Sequence, residues 1–232
     1  MYLALEGIEK SFGDGENRIQ VLFDVCMGLE KGELCVLLGP SGSGKSTILN
    51  IIGGIETADK GFVEIAGDRI EDMDEKRLSL YRRQHLGYVF QTYNLVPNLT
   101  VKENIEVGAY LSESPLDVNS LIKELGLWEH KDKVPNQLSG GQQQRTSIGR
   151  AIVKRPDVLL CDEPTGALDY GTSKEILKLI EEVCVRYGST VVLVTHNDAI
   201  KDMADRVIRL KDGRVISDEK NNKKVKAMDL EW

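Results

Sequence analysis

The apolar runs of this 232-residue chain describe an α/β architecture: a mostly parallel sheet flanked by helices, with a small helical insertion. Three observations point to it. The run Leu34-Cys35-Val36-Leu37-Leu38 is continuously apolar, as a strand buried on both faces must be, and a glycine-rich turn and a helical pattern follow it directly. Two more runs of this kind, Val158 to Cys161 and Thr190 to Val194, recur downstream among helical patterns. Between 92 and 137 the character changes: Pro97, Pro115 and Pro135 punctuate the segment, and it has no long β-like run.

Taken in order, residues 2–9 and 21–29 alternate or cluster apolar side chains in short stretches and predict strands before the 34–38 strand. Residues 46–52 have helical spacing and end at Gly53-Gly54, a helix stop. Helices fit near 101–111 and 118–126 inside the insertion. Two more, at about 172–187 and 198–203, separate or follow the last two apolar strands. Leu210 to Val215 predicts a short hairpin, because Asp212-Gly213 tolerates the positive φ angles a tight turn demands. The expected organisation is one domain over 1–232. Its α/β core is 1–91 and 138–217, the helical subdomain is 92–137, and 218–232 is a short tail.

The hydrophobic fraction of 41% and charged fraction of 29% are those of an ordinary globular protein. A net charge of −7 argues against a nucleic-acid binder, which needs a basic face. The only basic cluster, KNNKKVK at 220–226, predicts a solvated end. Cys26, Cys35, Cys161 and Cys184 show no CxxC spacing and suggest buried free thiols in a reducing compartment. Residues 1–12 lack the basic start and apolar segment of a signal peptide, and runs such as VVLV at 191–194 are too short to span a bilayer. The expectation is a cytosolic chain whose membrane role, if any, comes through a partner.

Gly39-Pro40-Ser41-Gly42-Ser43-Gly44-Lys45-Ser46, followed by Thr47, matches G-x-x-x-x-G-K-[ST] in full. Its glycines let backbone N–H groups turn inward around phosphates, and the helix that follows adds its dipole. Lys45 would place its ammonium on the β/γ-phosphates and the Ser46 hydroxyl would ligate Mg²⁺. A flexible serine–glycine linker explains neither the buried strand before nor the Lys-Ser pair and helix after, so the sequence predicts a nucleoside triphosphate site.

The partner of such a loop is an acid at the end of a neighbouring buried strand, and Asp162 closes the run VLLCD. Asp162 can hold Mg²⁺ through water, since magnesium takes carboxylates and keeps several waters. Glu163 adds a carboxylate that the metal does not need. It can be the base or water-orienting group of γ-phosphate hydrolysis, or simply the first residue of a surface loop. His196 ends the strand TVVLVTH at the same sheet edge and either bonds the γ-phosphate or is structural.

A second glycine-rich stretch, QLSGGQQQR at 137–145, has no lysine. In order, GPSGSGKST, Gln91, LSGGQ at 138–142, VLLCDEP at 158–164, GALD at 166–169 and His196 resemble the nucleotide-binding subunit of ATP-binding-cassette (ABC) transporters. The resemblance covers nearly the whole chain. It implies a P-loop NTPase core joined by an antiparallel β part and a helical subdomain. It implies that Ser41 to Thr47 wrap ATP and that Ser46, Asp162 and Gln91 serve Mg²⁺. Gln91 would also reach the attacking water from a mobile loop, Glu163 would polarise that water, and His196 would support the γ-phosphate. Phe12 is the candidate for the ring that stacks on adenine, with packing at a strand end as its alternative.

The resemblance further implies that Ser139, Gly140, Gly141 and Gln142 reach the γ-phosphate held by Lys45 of a second copy, with Asp169 at the seam. A helix N-terminus needs no lysine to attract an anion. Two chains head to tail around a two-fold axis would thus complete two sites. Within the family, GYVFQTYNLVPNLTVKENI and QLSGGQQQR followed by DEPTGALD are most similar to one branch. It holds the ATPases of lipoprotein-release, macrolide-export and antimicrobial-peptide-resistance systems and a cell-division ATPase, which pair with four-helix-type permeases. Residues 92–104, with Leu95, Val96, Pro97 and Leu99, would receive the permease on the inner face of the cell membrane. The alternative is a soluble ABC ATPase acting on nucleic acid or ribosomes. Such proteins carry two cassettes or a long coiled-coil insertion, and this chain has one cassette, no heptad run and an acidic balance.

Overall fold

The computed structural model describes residues 1–232, the Glu16 side chain excepted. Ten strands form two sheets: β1 (Leu3–Phe12), β2 (Ile19–Leu29), β3 (Leu34–Leu38), β4 (Lys60–Ile65), β5 (Asp68–Arg69), β6 (Leu86–Val89), β7 (Val158–Asp162), β8 (Thr190–Thr195), β9 (Arg206–Lys211) and β10 (Arg214–Lys220). Six α-helices accompany them: α1 (Lys45–Ile52), α2 (Glu75–Gln84), α3 (Val101–Ala109), α4 (Val118–Glu124), α5 (Gly140–Ile152) and α6 (Tyr170–Tyr187). The larger sheet runs β10-β9-β3-β8-β7-β6 and is parallel from β9 to β6, with β10 antiparallel at its edge. The smaller sheet, β2-β1-β4-β5, is antiparallel throughout.

The continuous apolar runs have a direct cause. Successive strand side chains point to opposite faces. Leu34, Val36, Leu159, Cys161, Val191 and Leu193 join α3 to α6 in one core, while Cys35, Leu37, Val158, Leu160, Val192 and Val194 join α1 and the antiparallel sheet in the other. Each central strand is therefore buried twice, and polar alternation is impossible. The sheet's carboxyl edge, where Leu38 pairs with Thr195 and Asp162 with Val194 across β8, carries the loops described below.

Residues 92–137 hold α3, α4 and short 3₁₀ turns, with no strand. α3 packs on α5, which begins after this segment, and α4 packs on α3. The contact of α3 with α5 is close: a Cβ on Gly108 would stand 2.2 Å from the Arg150 carbonyl oxygen. Gly108→Ala is therefore expected to destabilise. Its overpacking, roughly 1–3 kcal/mol against an immovable backbone atom, exceeds the helix-propensity gain of about 1 kcal/mol. A lower urea midpoint checks this, and an unchanged midpoint refutes it.

Several expectations are corrected. Residues 198–203 form a 3₁₀ helix, capped by the Asn197 side chain, rather than an α-helix. Cys26 is exposed, whereas Cys35, Cys161 and Cys184 are buried and free. The stretch after 218 is part of the fold. β10 continues to Lys220, the Asn221 amide donates to the Ala204 carbonyl at 3.0 Å, and Lys224 pairs with Asp205 at 3.0 Å. Ala227 and Leu230 are buried on α6, and the Tyr170 hydroxyl donates to the Leu230 carbonyl at 3.1 Å. The Trp232 ring meets Tyr170 edge to face at 4.8 Å.

Candidate functional site

The loop from Gly39 to Gly44 joins the buried end of β3 to the first turn of α1. Gly42 and Gly44 take φ angles of 78° and 99°, which only glycine adopts easily. A Cβ on Gly44 would strike the Leu22 Cδ2 atom at 2.6 Å, because β2 crosses directly beneath. Gly44 caps α1 without any side-chain acceptor, so the leading N–H groups of the helix are left for an anion. The Lys45 side chain is 7% exposed and its ammonium donates to the carbonyls of Gly39 and Pro40, each at 2.8 Å. An ammonium has three donors, so one is left free. The Ser43 hydroxyl is buried without a partner in the same loop.

Asp162 closes β7 and accepts a hydrogen bond from the Ser46 hydroxyl at 3.1 Å. Burial holds its carboxyl above the usual carboxylate range and the neighbouring Glu163 charge adds to this, while Ser46 and Lys45 act the other way. Glu163 lies in the left-handed region at φ 46°, a conformation costing on the order of 1 kcal/mol for a residue other than glycine. Its N–H donates to the Val194 carbonyl at 3.0 Å, which ties the turn to β8. Its carboxylate is nearly buried, and both oxygens lie 3.0 Å from Nδ1 of the exposed His196 ring. Gln91, two residues past β6, sits against the same turn: its Nε2 is 3.6 Å from where a Cβ on Gly166 would stand.

These groups share one cleft of about 680 Å³, lined by Phe12, Val21, Ser41, Gly42, Gly44 to Thr47, Gln91, Glu163 and His196. Phe12 projects from the end of β1 and is 43% exposed, with the Lys10 ammonium 5.1 Å from its ring centroid. Lys10 is in turn fixed by Glu56 at 2.6 Å. An aromatic, a phosphate-binding loop, a hydroxyl–carboxylate pair and a second carboxylate held by histidine are the groups that nucleoside triphosphate hydrolysis needs.

The structure does not bring every sequence-derived candidate into this cleft. Among the described residues, Ser139 to Gln142 do not line it, and neither does Asp169. Ser139 caps α5: its hydroxyl accepts from the Gln142 N–H at 3.3 Å, and the Gln142 side chain accepts from the Ser139 N–H at 2.9 Å. Asp169 caps α6, accepting from the N–H and hydroxyl of Thr172 at 3.0 and 2.7 Å, and Thr172 holds its carboxyl below the usual range. Thr172 also joins the two caps, since a Cβ on Gly141 would fall 2.5 Å from its methyl carbon. The candidates thus separate into a cleft group and a second group built from two helix N-termini. Sequence reasoning overlooked Tyr93, whose hydroxyl lies 3.0 Å from where a Cβ on Gly140 would stand, and Thr172. Tyr93 carries no local signal, because it matters through the chain-distant Gly140; Thr172 lies three residues from the Asp169 it bonds, but its contact with Gly141 is as remote.

Comparison with known proteins agrees with this geometry. A family model described as "ABC transporter" matches residues 22–166. The macrolide export ATP-binding/permease protein MacB 1 of Yersinia pestis is 42% identical over 235 residues, covering 98% of this chain and 36% of its own length. A putative ABC transporter ATP-binding protein of Mycoplasma pneumoniae, the MG065 homolog, is 40% identical over 233 residues, covering 99% of this chain and 50% of its own. The chain thus spans between about a third and a half of these relatives. A dimeric post-hydrolysis structure of the ATP-binding cassette MJ0796, bound to ADP and Pi, superposes with a TM-score of 0.87 at 38% identity, over 94% of this chain and 98% of that one. The chain belongs to the ABC transporter family, as one of its ATP-hydrolysing cassettes.

Proposed function

We propose that the chain works as a head-to-tail homodimer in which two ATP molecules are held at the seam, and that closing and reopening this dimer drives a membrane permease. The carrying observation is the separation just described. The cleft is lined by Lys45, Ser46 and Glu163, with Asp162 bonded to Ser46, while Ser139, Gly140, Gly141 and Gln142 head α5 outside it, with Asp169 beside them. A second copy supplies the missing donors: two N-terminal glycines and a capping serine aimed at a γ-phosphate. The dimeric MJ0796 cassette supports this arrangement.

Within each half, Gly39 to Thr47 cradle the triphosphate and Phe12 takes the adenine. Lys45 neutralises charge on the β- and γ-phosphates. Glu163 accepts the proton of the attacking water, oriented by His196 and by Gln91. The Ser46 hydroxyl, the Asp162 carboxylate and the Gln91 amide fit magnesium, which takes hard oxygen ligands and retains waters. The burial that raises the Asp162 carboxyl is what a cation relieves. Magnesium, when bound, neutralises developing charge on the phosphates.

Among the described residues, no helix is long and apolar enough to cross a membrane. Residues 92–104, where Val96 is 41% exposed, are the permease contact in our reading, which places the chain on the inner face of the cell membrane. The names of the macrolide-export relatives favour export. Extraction of lipoprotein, antimicrobial-peptide or drug-like cargo and mechanotransmission belong to the same reading, carried by the resemblance of motifs described above. Tagged chain purified from gentle detergent extracts is expected to bring down a four-helix-type permease. Recovery of ribosomes or DNA and no permease would sink this reading.

A further inference from the structure

The chain after Gln91 makes an unusual turn. Tyr93 and Asn94, two consecutive residues other than glycine, both lie in the left-handed region at φ 60° and 46°. Each such residue costs on the order of 1 kcal/mol and persists only when its surroundings hold it. The local bonds are few: the Asn94 N–H reaches the Thr92 carbonyl at 2.6 Å, and the Thr92 hydroxyl reaches the Asn94 side chain at 2.9 Å.

The stronger hold is remote in sequence. Arg150, in the last turn of α5, donates through Nη1 to the Asn94 carbonyl at 2.6 Å and through Nη2 to the Tyr93 carbonyl at 3.1 Å. Burial lowers the pKa of this guanidinium, and among the described residues no carboxylate pairs with it. A part-buried cation with two carbonyls as its partners is a costly arrangement to keep for packing alone. The planar fork of arginine suits two adjacent carbonyls; the ammonium of lysine does not. At the other end of the same helix, the Tyr93 hydroxyl lies 3.0 Å from a Cβ position on Gly140. α5 therefore meets this turn at both of its ends, through the Arg150 bonds to its main chain and through the close approach of Gly140 to the Tyr93 phenol. Farther along, the fully buried Asn104 of α3 fixes the loop's exit through Val96 and Leu99, at 2.8 and 2.9 Å.

We infer that Arg150 is a positioning residue that ties Gln91 to the LSGGQ helix, so that the water-orienting side chain of one site and the phosphate-binding glycines offered to the other move as one body. This rests on the roles proposed above for Gln91 and LSGGQ. Whatever presses on residues 92–104 then loads the N-terminus of α5 as well.

Two measurements test it on the purified full chain. In hydrogen exchange, Arg150→Met, which keeps the aliphatic stem, is expected to speed exchange across 92–96 and leave β3 and β8 unchanged. Protection at 92–96 equal to that of the parent overturns the inference. In steady-state turnover, Arg150→Met is expected to lower kcat by about ten- to a hundredfold, the upper figure being that of a misplacement of about 1 Å, with KM for ATP unchanged. In a Gln91→Ala background the same substitution should add nothing, because the group it positions is gone. Additive losses overturn the inference, since a merely structural role lowers both backgrounds alike. Arg150→Lys, with a melting temperature matching the parent, should show the same non-additivity in milder form and guards against a folding defect. A Gln91→Ala chain with undiminished kcat would instead refute the role of Gln91, and the exchange result alone would then decide for or against the tie.

Discussion

Lys45→Ala is expected to abolish detectable ATP binding. The ammonium lies in a protected loop, 7% exposed, where two of its donors hold the carbonyls of Gly39 and Pro40 and the third is free for phosphate. Two losses combine on truncation. A charge-assisted hydrogen bond contributes roughly 1.5–3 kcal/mol, and a unit charge 4 Å away at an effective dielectric near 20 contributes about 4 kcal/mol more. Part of that Coulomb term is already offset by ions and water in the free protein, so a loss of two to three orders of magnitude in affinity is the working expectation, at about 1.4 kcal/mol per tenfold. The carbonyls of the half-buried Gly39 and the exposed Pro40 also lose the donor that ties them together, which loosens the loop itself. Calorimetric titration with ATP and magnesium checks this, alongside a melting curve showing that the variant folds. Affinity retained within tenfold of the parent would remove the phosphate-loop assignment.

The parts of this molecule that sequence made legible share one property: their chemistry is local. The run from Leu34 to Leu38 declares itself because both its faces are buried, and the glycines after it because positive φ angles and a helix start leave few alternatives. Asp162 and His196 were readable as polar residues that interrupt such runs at one sheet edge. Less local features were hidden. β4 opens with Lys-Gly and β6 has only four residues, so neither gives a periodic signal. α2 reads EKRLSLYRRQ and buries only Tyr81, so its apolar stripe is too thin to be noticed. Residues 198–203 have helical spacing, yet the Asn197 cap and the approach to β9 leave room only for a 3₁₀ turn. The basic cluster at 220–226 is exposed apart from the half-buried Asn221, as its lysines predict, whereas the anchors of the tail, Asn221, Ala227 and Leu230, are single residues that give no periodic signal.

The same distinction applies at the site. LSGGQ was recognisable as an anion-binding stretch, but only coordinates show Ser139 and Gln142 satisfying each other as a capping box outside the cleft. That reciprocal cap matters for chemistry. It leaves the Gly140 and Gly141 amides at a rigid helix start, and preorganised donors are most effective where charge develops in a water-poor seam. Arg150 had no sequence signal at all, since a lone arginine in an amphipathic helix normally reads as a solvated charge.

Glu163→Gln tests the chemistry and the assembly together. The substitution keeps side-chain length and can still bond Nδ1 of His196, now 3.0 Å from both carboxylate oxygens, so the strained turn at φ 46° should stand. What it removes is the carboxylate proposed above to accept the proton of the attacking water. Loss of a positioned general base lowers turnover by roughly 10²- to 10⁴-fold. Binding should not fall with it, because Lys45, Ser46 and the α1 N-terminus are untouched, and one negative charge fewer in the cleft favours ATP. If the two incomplete sites are completed by a second chain, a variant that binds ATP and cannot cleave it must accumulate in the closed state. Light scattering is then expected to show a doubled mass with ATP and the parent mass with ADP, since the γ-phosphate is what the partner's Ser139, Gly140 and Gly141 would hold. The two outcomes separate cleanly. Normal turnover would relieve Glu163 of its role as base, whereas slow turnover by a chain that stays monomeric with ATP would leave the chemistry standing and remove the dimer. In that second case packing alone would account for the two leading glycines of α5, since a Cβ on Gly140 would stand 3.0 Å from the Tyr93 hydroxyl and one on Gly141 would stand 2.5 Å from the Thr172 methyl carbon.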